Sequence, residues 1–194
     1  MKTLNHFFVK VPNKKKETLK LGDKEIFLDT RFNEFEHRIC YGEILSSPSK
    51  HATGAKQGDT LFFHHHVNSA ANCIVDEEKG IYMAIYDPVN KRGSHAIAYR
   101  DSEGEIHMLA DWVFLEPLEV DEKEEVSDSG IIIAITKESK DEARVFSPSN
   151  SMIKEGVVKG DVVGFLKDRD YKMVLDDSSV VYRMMADDIP YVVR

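Results

Sequence analysis

The chain has 194 residues, 42% of them hydrophobic and 31% charged, the profile of a globular protein long enough to bury a core in one large or two small domains. The net charge is −8, yet residues 1–110 carry 15 basic and 15 acidic side chains, so the acidic excess lies wholly in the remainder and excludes a general nucleic-acid surface. No apolar run reaches about 18 residues, the length of a membrane span, the N-terminus lacks a signal-peptide core, and Cys40 and Cys73 have no metal-ligand spacing, which together lead us to expect a cytoplasmic protein.

In chain order, Phe7 to Val11 predicts a first strand, closed by Pro12. Asn13 to Lys24 reads as a polar loop, whose Lys14-Lys15-Lys16 cluster is solvated rather than nucleic-acid binding, and which ends in the apolar patch Glu25-Ile26-Phe27-Leu28. Strand character resumes over Glu36 to Ser46, and Ser47 to Gln57 is loop. Gly58 to Phe63 is a turn feeding a buried strand, with His64-His65-His66 directly after it. Gly80 to Asp87 and Ser94 to Tyr99 are strand-like, and Pro88 to Gly93 between them predicts a hairpin. Ile106 to Leu109 leads into a further apolar strand from Trp112.

The acidic run Asp121 to Asp128 has too few apolar groups to fold back on anything, and is expected to be mobile. It passes through Ser129-Gly130 into Ile131-Ile132-Ile133, a compact β-branched patch. Such a patch is either a strand entering a sheet or a segment that orders against a partner. Thr136 to Glu142 is loop or one helical turn, Arg144 to Phe146 strand, Ser147 to Gly156 loop and Gly160 to Phe165 another strand entry. Val180 to Met185 and Ile189 to Val193 close the chain. Short strands separated by turn signals, with no long 3.6-residue period, predict an all-β barrel or sandwich.

The order of events occurs twice, about a hundred residues apart. Gly58-Asp59-Thr60-Leu61-Phe62-Phe63 recurs as Gly160-Asp161-Val162-Val163-Gly164-Phe165. Ile44 to Ser49 resembles Val145 to Ser149, Ile26-Phe27-Leu28 matches Ile131-Ile132-Ile133, and Phe7 to Val11 matches Val113 to Pro117. A tandem duplication over 1–110 and 111–194 follows.

The second copy runs strand, acidic loop, Gly130-Ile131-Ile132-Ile133, Arg144-Val145-Phe146, Val158-Lys159-Gly160-Asp161-Val162-Val163-Gly164-Phe165 and Asp187-Asp188-Ile189-Pro190-Tyr191-Val192-Val193. It resembles the GroES-type co-chaperonins (the chaperonin-10 family), where strand, mobile loop, Gly-Gly-Ile-Val-Leu, Gly-Glu-Val-Leu, Val-Gly-Asp-x-Val-x-Phe and Ser-Asp-Ile-Leu-Ala-Ile-Val follow in that order. The resemblance covers Trp112 to Arg194 and, more loosely, Leu4 to Phe63 and Ile106 to Leu115. The departures are Ala143-Arg144 where the family has Gly-Glu, short segments at Ser47 to Gln57 and Pro148 to Val157 in place of the dome hairpin, an extra hairpin over Gly80 to Tyr99 with no counterpart in the second copy, and a strand at Ala110 to Leu115 that looks shared between the copies.

The resemblance implies two tandem GroES-like β-barrels with long mobile loops, whose apolar tripeptides dock on a large GroEL-type chaperonin ring. By position, Gly130, Ile131, Ile132 and Ile133 belong to the second loop and Ile26, Phe27 and Leu28 to the first. Burying one such side chain contributes about 1.5–3 kcal/mol, while ordering each loop residue costs about 1–2 kcal/mol. One loop is therefore near break-even, and docking requires a homo-oligomeric ring in which later contacts are intramolecular. The rival from another class is a structural or virion-assembly protein that keeps the fold without the activity.

No catalytic chemistry is expected. A strand at His64-His65-His66 would let only His64 and His66 share an ion, so no metal is expected there. No G-x-G-x-x-G fingerprint supports the zinc dehydrogenases that also use this barrel, and no P-loop, Gly-x-Ser-x-Gly or H-E-x-x-H occurs. Asp176-Asp177 and Asp187-Asp188 read as turn residues rather than an acid–base pair. The expectation is a protein that is not an enzyme and uses no cofactor.

Overall fold

In a computed structural model the described residues are 2–12, 18–27, 39–120, 125–126, 132–133 and 137–193. In their regular structure the described residues are mostly β-strand, and the chain divides into two compact units. One comprises Met1–Trp112 with Met173–Ser179, the other Val113–Lys172 with Val180–Arg194.

The first unit contains β1 (Phe7–Lys10), β2 (Thr18–Leu21), β3 (Lys24–Phe27), β4 (Tyr41–Ser46), β5 (Thr60–Phe63), β6 (Ile74–Asp76), β7 (Ile81–Ala84), β8 (Ala96–Arg100) and β9 (Ile106–Met108). Its main sheet has the order β6-β7-β1-β4-β5-β8-β9, and β2-β3 stand apart as a hairpin. The remaining strands are β10 (Trp112–Val120), β11 (Glu125–Val126), β12 (Ile132–Ile133), β13 (Lys137–Ser147), β14 (Val162–Gly164), β15 (Tyr171–Val174), β16 (Val180–Met185) and β17 (Tyr191–Val193). They give the order β15-β16-β10-β13-β14-β17, with β11-β12 again a separate hairpin. Strand for strand, the second order repeats the first, which adds only β9 at one end.

The repeat extends to individual hydrogen bonds. A register shift falls between Phe8 and Val9 and again between Phe114 and Leu115, after which Val9 faces Ile44 and Leu115 faces Val145. The Ile44 and Val145 amides donate to the Asp59 and Asp161 carbonyls, each at 2.8 Å. Gly58 and Gly160 donate back to the Ile44 and Val145 carbonyls at 2.9 and 2.8 Å. Each aspartate carboxylate accepts the amide three residues earlier, Lys56 at 2.7 Å and Val158 at 3.0 Å. The turn needs φ of +94° at Gly58 and +96° at Gly160, a region that a side chain disfavours.

Each unit has its own core. Phe7, Val9, Ile44, Leu61, Phe63 and Tyr82 are fully buried in the first; Val113, Leu115, Val145, Val163 and Tyr182 are buried in the second. The alternation in β1, with Phe7 and Val9 buried and Lys10 exposed, is the two-residue period of a strand with one face on a core.

Several expectations are corrected. Gly80 to Asp87 and Ser94 to Tyr99 do not form a hairpin: β7 pairs with β1 and β6, and β8 with β5 and β9. Their counterparts are β16 and β17, so no hairpin is extra. The Pro- and Gly-containing link resembles a hairpin turn in composition, but its Lys91–Gly93 segment is a 3-10 turn that carries the chain between non-adjacent strands. No strand is shared either, because the first sheet finishes with β8-β9 and Trp112 opens β10, after a turn with positive φ at Ala110 and Asp111. The Asn13 to Lys24 loop contains β2. Thr136 to Glu142 lies largely within β13, and Ser147 to Gly156 holds a short helix, α1 (Asn150–Lys154), capped by Ser149 Oγ accepting the Met152 amide at 3.3 Å.

The sheets are open in their pairing order. In the first unit, though, the Ile85 carbonyl just past β7 accepts both the His95 amide at 2.8 Å and the Ala96 amide at 3.1 Å. That brings together the ends of strands four places apart in the order, as a strongly curled sheet does.

Segment 173–179 is tied to the first unit by Arg100, whose guanidinium donates to Asp177 Oδ2 at 2.8 Å and lies 3.3 Å from Asp176. Burial acts to raise the Asp177 pKa, but the Arg100 and Ser179 hydrogen bonds outweigh it and hold the group at about 2.

Gly58→Ala and Gly160→Ala should each lower stability by about 1–2 kcal/mol, read by denaturant unfolding, because a Cβ there meets no neighbouring atom and only the backbone is strained. Because the folded pKa of Asp177 is depressed, its contribution is full above about pH 4 and is lost as pH falls toward 2. Arg100→Gln should flatten that limb of an acid-unfolding curve, by a modest amount because solvent screens a partly exposed pair.

Candidate docking hairpins

Both hairpins leave the fold at the same place, between the first strand of a sheet and its antiparallel partner: β2-β3 between β1 and β4, β11-β12 between β10 and β13. In the first, Thr18 faces Phe27, Leu19 faces Ile26, Lys20 faces Glu25 and Leu21 faces Lys24. The connection is the two-residue turn Gly22-Asp23, with Gly22 at φ +60°, the conformation that suits tight hairpin turns.

The hairpin is open to solvent along β3 and at the end of β2. Every residue of β3 is exposed, Phe27 at 83% and Ile26 at 45%, and Leu21 at the end of β2 is 58% exposed. The register puts Ile26 and Leu21 on one face of the ladder and Phe27 on the other, so neither face is wholly polar. A two-stranded hairpin without a covering layer is marginal in water.

In the second hairpin Glu125 faces Ile133 and Val126 faces Ile132. The acidic run read as an unpaired tether therefore contributes a short strand that pairs with the isoleucines. Of the residues the sequence singled out, Ile26, Phe27, Ile132 and Ile133 fall in strands, whereas Leu28, Gly130 and Ile131 lie outside the described residues. The pairing of β2 was missed because Lys-rich composition hid the alternation of Thr18 to Leu21; Gly22-Asp23, a hairpin-type dipeptide, was the available signal.

Asp177 accepts from Arg100 and from the Ser179 amide, while Asp187 and Asp188 end a single 3-10 turn in which Asp188 is buried and Arg169 approaches it at 3.7 Å.

Phe27→Asp should change unfolding stability by no more than about 0.5 kcal/mol, since its ring covers nothing. Phe63→Ala, in the core of the same unit, should cost about 3–5 kcal/mol. Equilibrium denaturation of the two variants checks the contrast.

No protein-family model matches the chain, and no curated protein matches it.

Proposed function

We propose that the protein is a co-chaperonin: two GroES-like barrels in tandem, assembled as a homo-oligomeric ring in the cytoplasm, capping a large GroEL-type chaperonin ring and assisting ATP-dependent folding without chemistry of its own. The observation that carries this reading is the repetition of one strand order in both halves, with a separate hairpin leaving each at the same place and, in the first, Phe27 turned to solvent. The curl of the first sheet at Ile85 supports the barrel part of the proposal.

On this reading Ile26, Phe27 and Leu28 and Gly130, Ile131, Ile132 and Ile133 are the docking segments. Two such segments per chain double the contacts a ring of given size presents, so avidity offsets the weakness of each. The lack, among the described residues, of a helix long and apolar enough to cross a membrane fits a protein that works beside a chaperonin.

Native mass measurement of the protein alone, and of its mixture with a GroEL-type ring and nucleotide, tests the proposal. A ring that joins the chaperonin only with nucleotide is expected, and Phe27→Asp with Ile132→Asp should abolish the complex while leaving the free assembly intact. A monomer at micromolar concentration would sink the proposal. An assembled ring that ignores the chaperonin would favour the structural or virion-assembly reading instead.

A further inference from the structure

The histidine run is not a strand. β5 ends at Phe63, His64 takes φ −67° and ψ 139°, and His65–Asn68 form a 3-10 turn. The alternation that would send neighbouring rings to opposite faces therefore does not apply. Instead the three rings close on one another: His64 to His65 at 4.2 Å between centroids, His64 to His66 at 4.4 Å and His65 to His66 at 4.3 Å. One ligand nitrogen from each ring lies within 4.8 Å of the other two.

From this triangle we infer a transition-metal site at His64, His65 and His66, taking a divalent ion of the zinc class with three imidazole ligands and the remaining position open to water. A zinc–nitrogen distance of about 2.1 Å sets ligand nitrogens roughly 3.4 Å apart in a tetrahedron, so only small side-chain rotations separate the present arrangement from coordination. Imidazole ligands select zinc, cobalt, nickel or copper over the hard cations that prefer oxygen.

The surroundings favour the ligand form. Two of the rings are half-buried and His66 is exposed, which leaves an entry path for an ion. His95 lies behind them, its ring 6.2 Å from that of His64. The Cys73 thiol lies 3.8 Å from His95 Nδ1, and burial pushes its pKa up. Coordination through His64 Nδ1 displaces the weak bond it accepts from the His66 amide at 3.2 Å. A second cluster, Asp101, Glu105 and His107, is a poorer candidate: His107 Nε2 already meets Asp101 Oδ2 at 2.7 Å, and Asp101 Oδ1 accepts the Glu103 and Glu105 amides.

The experiment is calorimetric titration of the untagged full chain with Zn2+, alongside visible absorption with Co2+ as the probe. Saturable binding of one ion per chain is expected, with a tetrahedral-type cobalt spectrum that Zn2+ displaces. His65→Gln and His66→Gln should each weaken binding at least about tenfold, and His107→Gln should leave it unchanged. Far-UV circular dichroism confirms that each variant is folded. Affinity should fall as pH is lowered, because the ligand nitrogens must be unprotonated to bind the ion. No saturable binding, undiminished binding in the His65→Gln/His66→Gln double variant, or loss of binding on His107→Gln would overturn the site.

Discussion

The pairing of the first strand of each unit with the strand that follows its hairpin, β1 with β4 and β10 with β13, is the constraint on which the rest depends. A register shift at Phe8/Val9 and at Phe114/Leu115 lets Val9 and Leu115 face Ile44 and Val145, and the Gly-Asp turns clamp the far side of those same residues through two main-chain hydrogen bonds each. Because both flanks of Ile44 and Val145 are occupied, their strands have little freedom to slip. A one-residue slip would turn every core side chain of the strand outward. The same pairing sets the base from which each hairpin departs, so the position of the exposed apolar residues is decided by the core and not by the hairpin.

This division of labour explains an otherwise uneconomical feature. Phe27, Ile26 and Leu21 are large apolar groups left in water while Phe7, Val9 and Phe63 are sealed completely. A fold that had room to bury them would gain stability by doing so. Keeping them on a separate two-stranded element means that whatever they meet is met without loosening the sheet.

The sequence shows some of this plainly and conceals the rest. Gly58-Asp59 and Gly160-Asp161 were legible because a turn is local chemistry: a glycine for positive φ, and an aspartate that caps the amide three residues back. The later strands were not legible as repeats. β7 and β16, or β8 and β17, share little beyond apolar content, and their partners lie far away in sequence, so neighbours along the chain were mistaken for neighbours in the sheet. The strand reading of the histidine run fails for a related reason. Alternation of faces is a property of strands alone, and nothing in Phe63-His64-His65-His66 announces that the strand ends before the first ring. Burial offers no clue either, because Leu61, Phe62 and Phe63 are all fully buried and show no alternation that could break off.

The order of strands has a consequence for how the protein behaves at high concentration. Both main sheets end in short strands: β6 and β9 have three residues each, β15 has four and β17 has three. The two long strands, β10 with nine residues and β13 with eleven, are interior in the sheet order, with β13 meeting β14 over Glu142–Arg144. Pro190, which has no amide hydrogen to offer, stands directly before β17. An unpaired edge of three or four residues presents few hydrogen bonds to a passing chain, and a proline beside it presents fewer. The β-rich fold thus keeps its most aggregation-prone backbone inside, and adventitious strand addition finds little purchase at its borders.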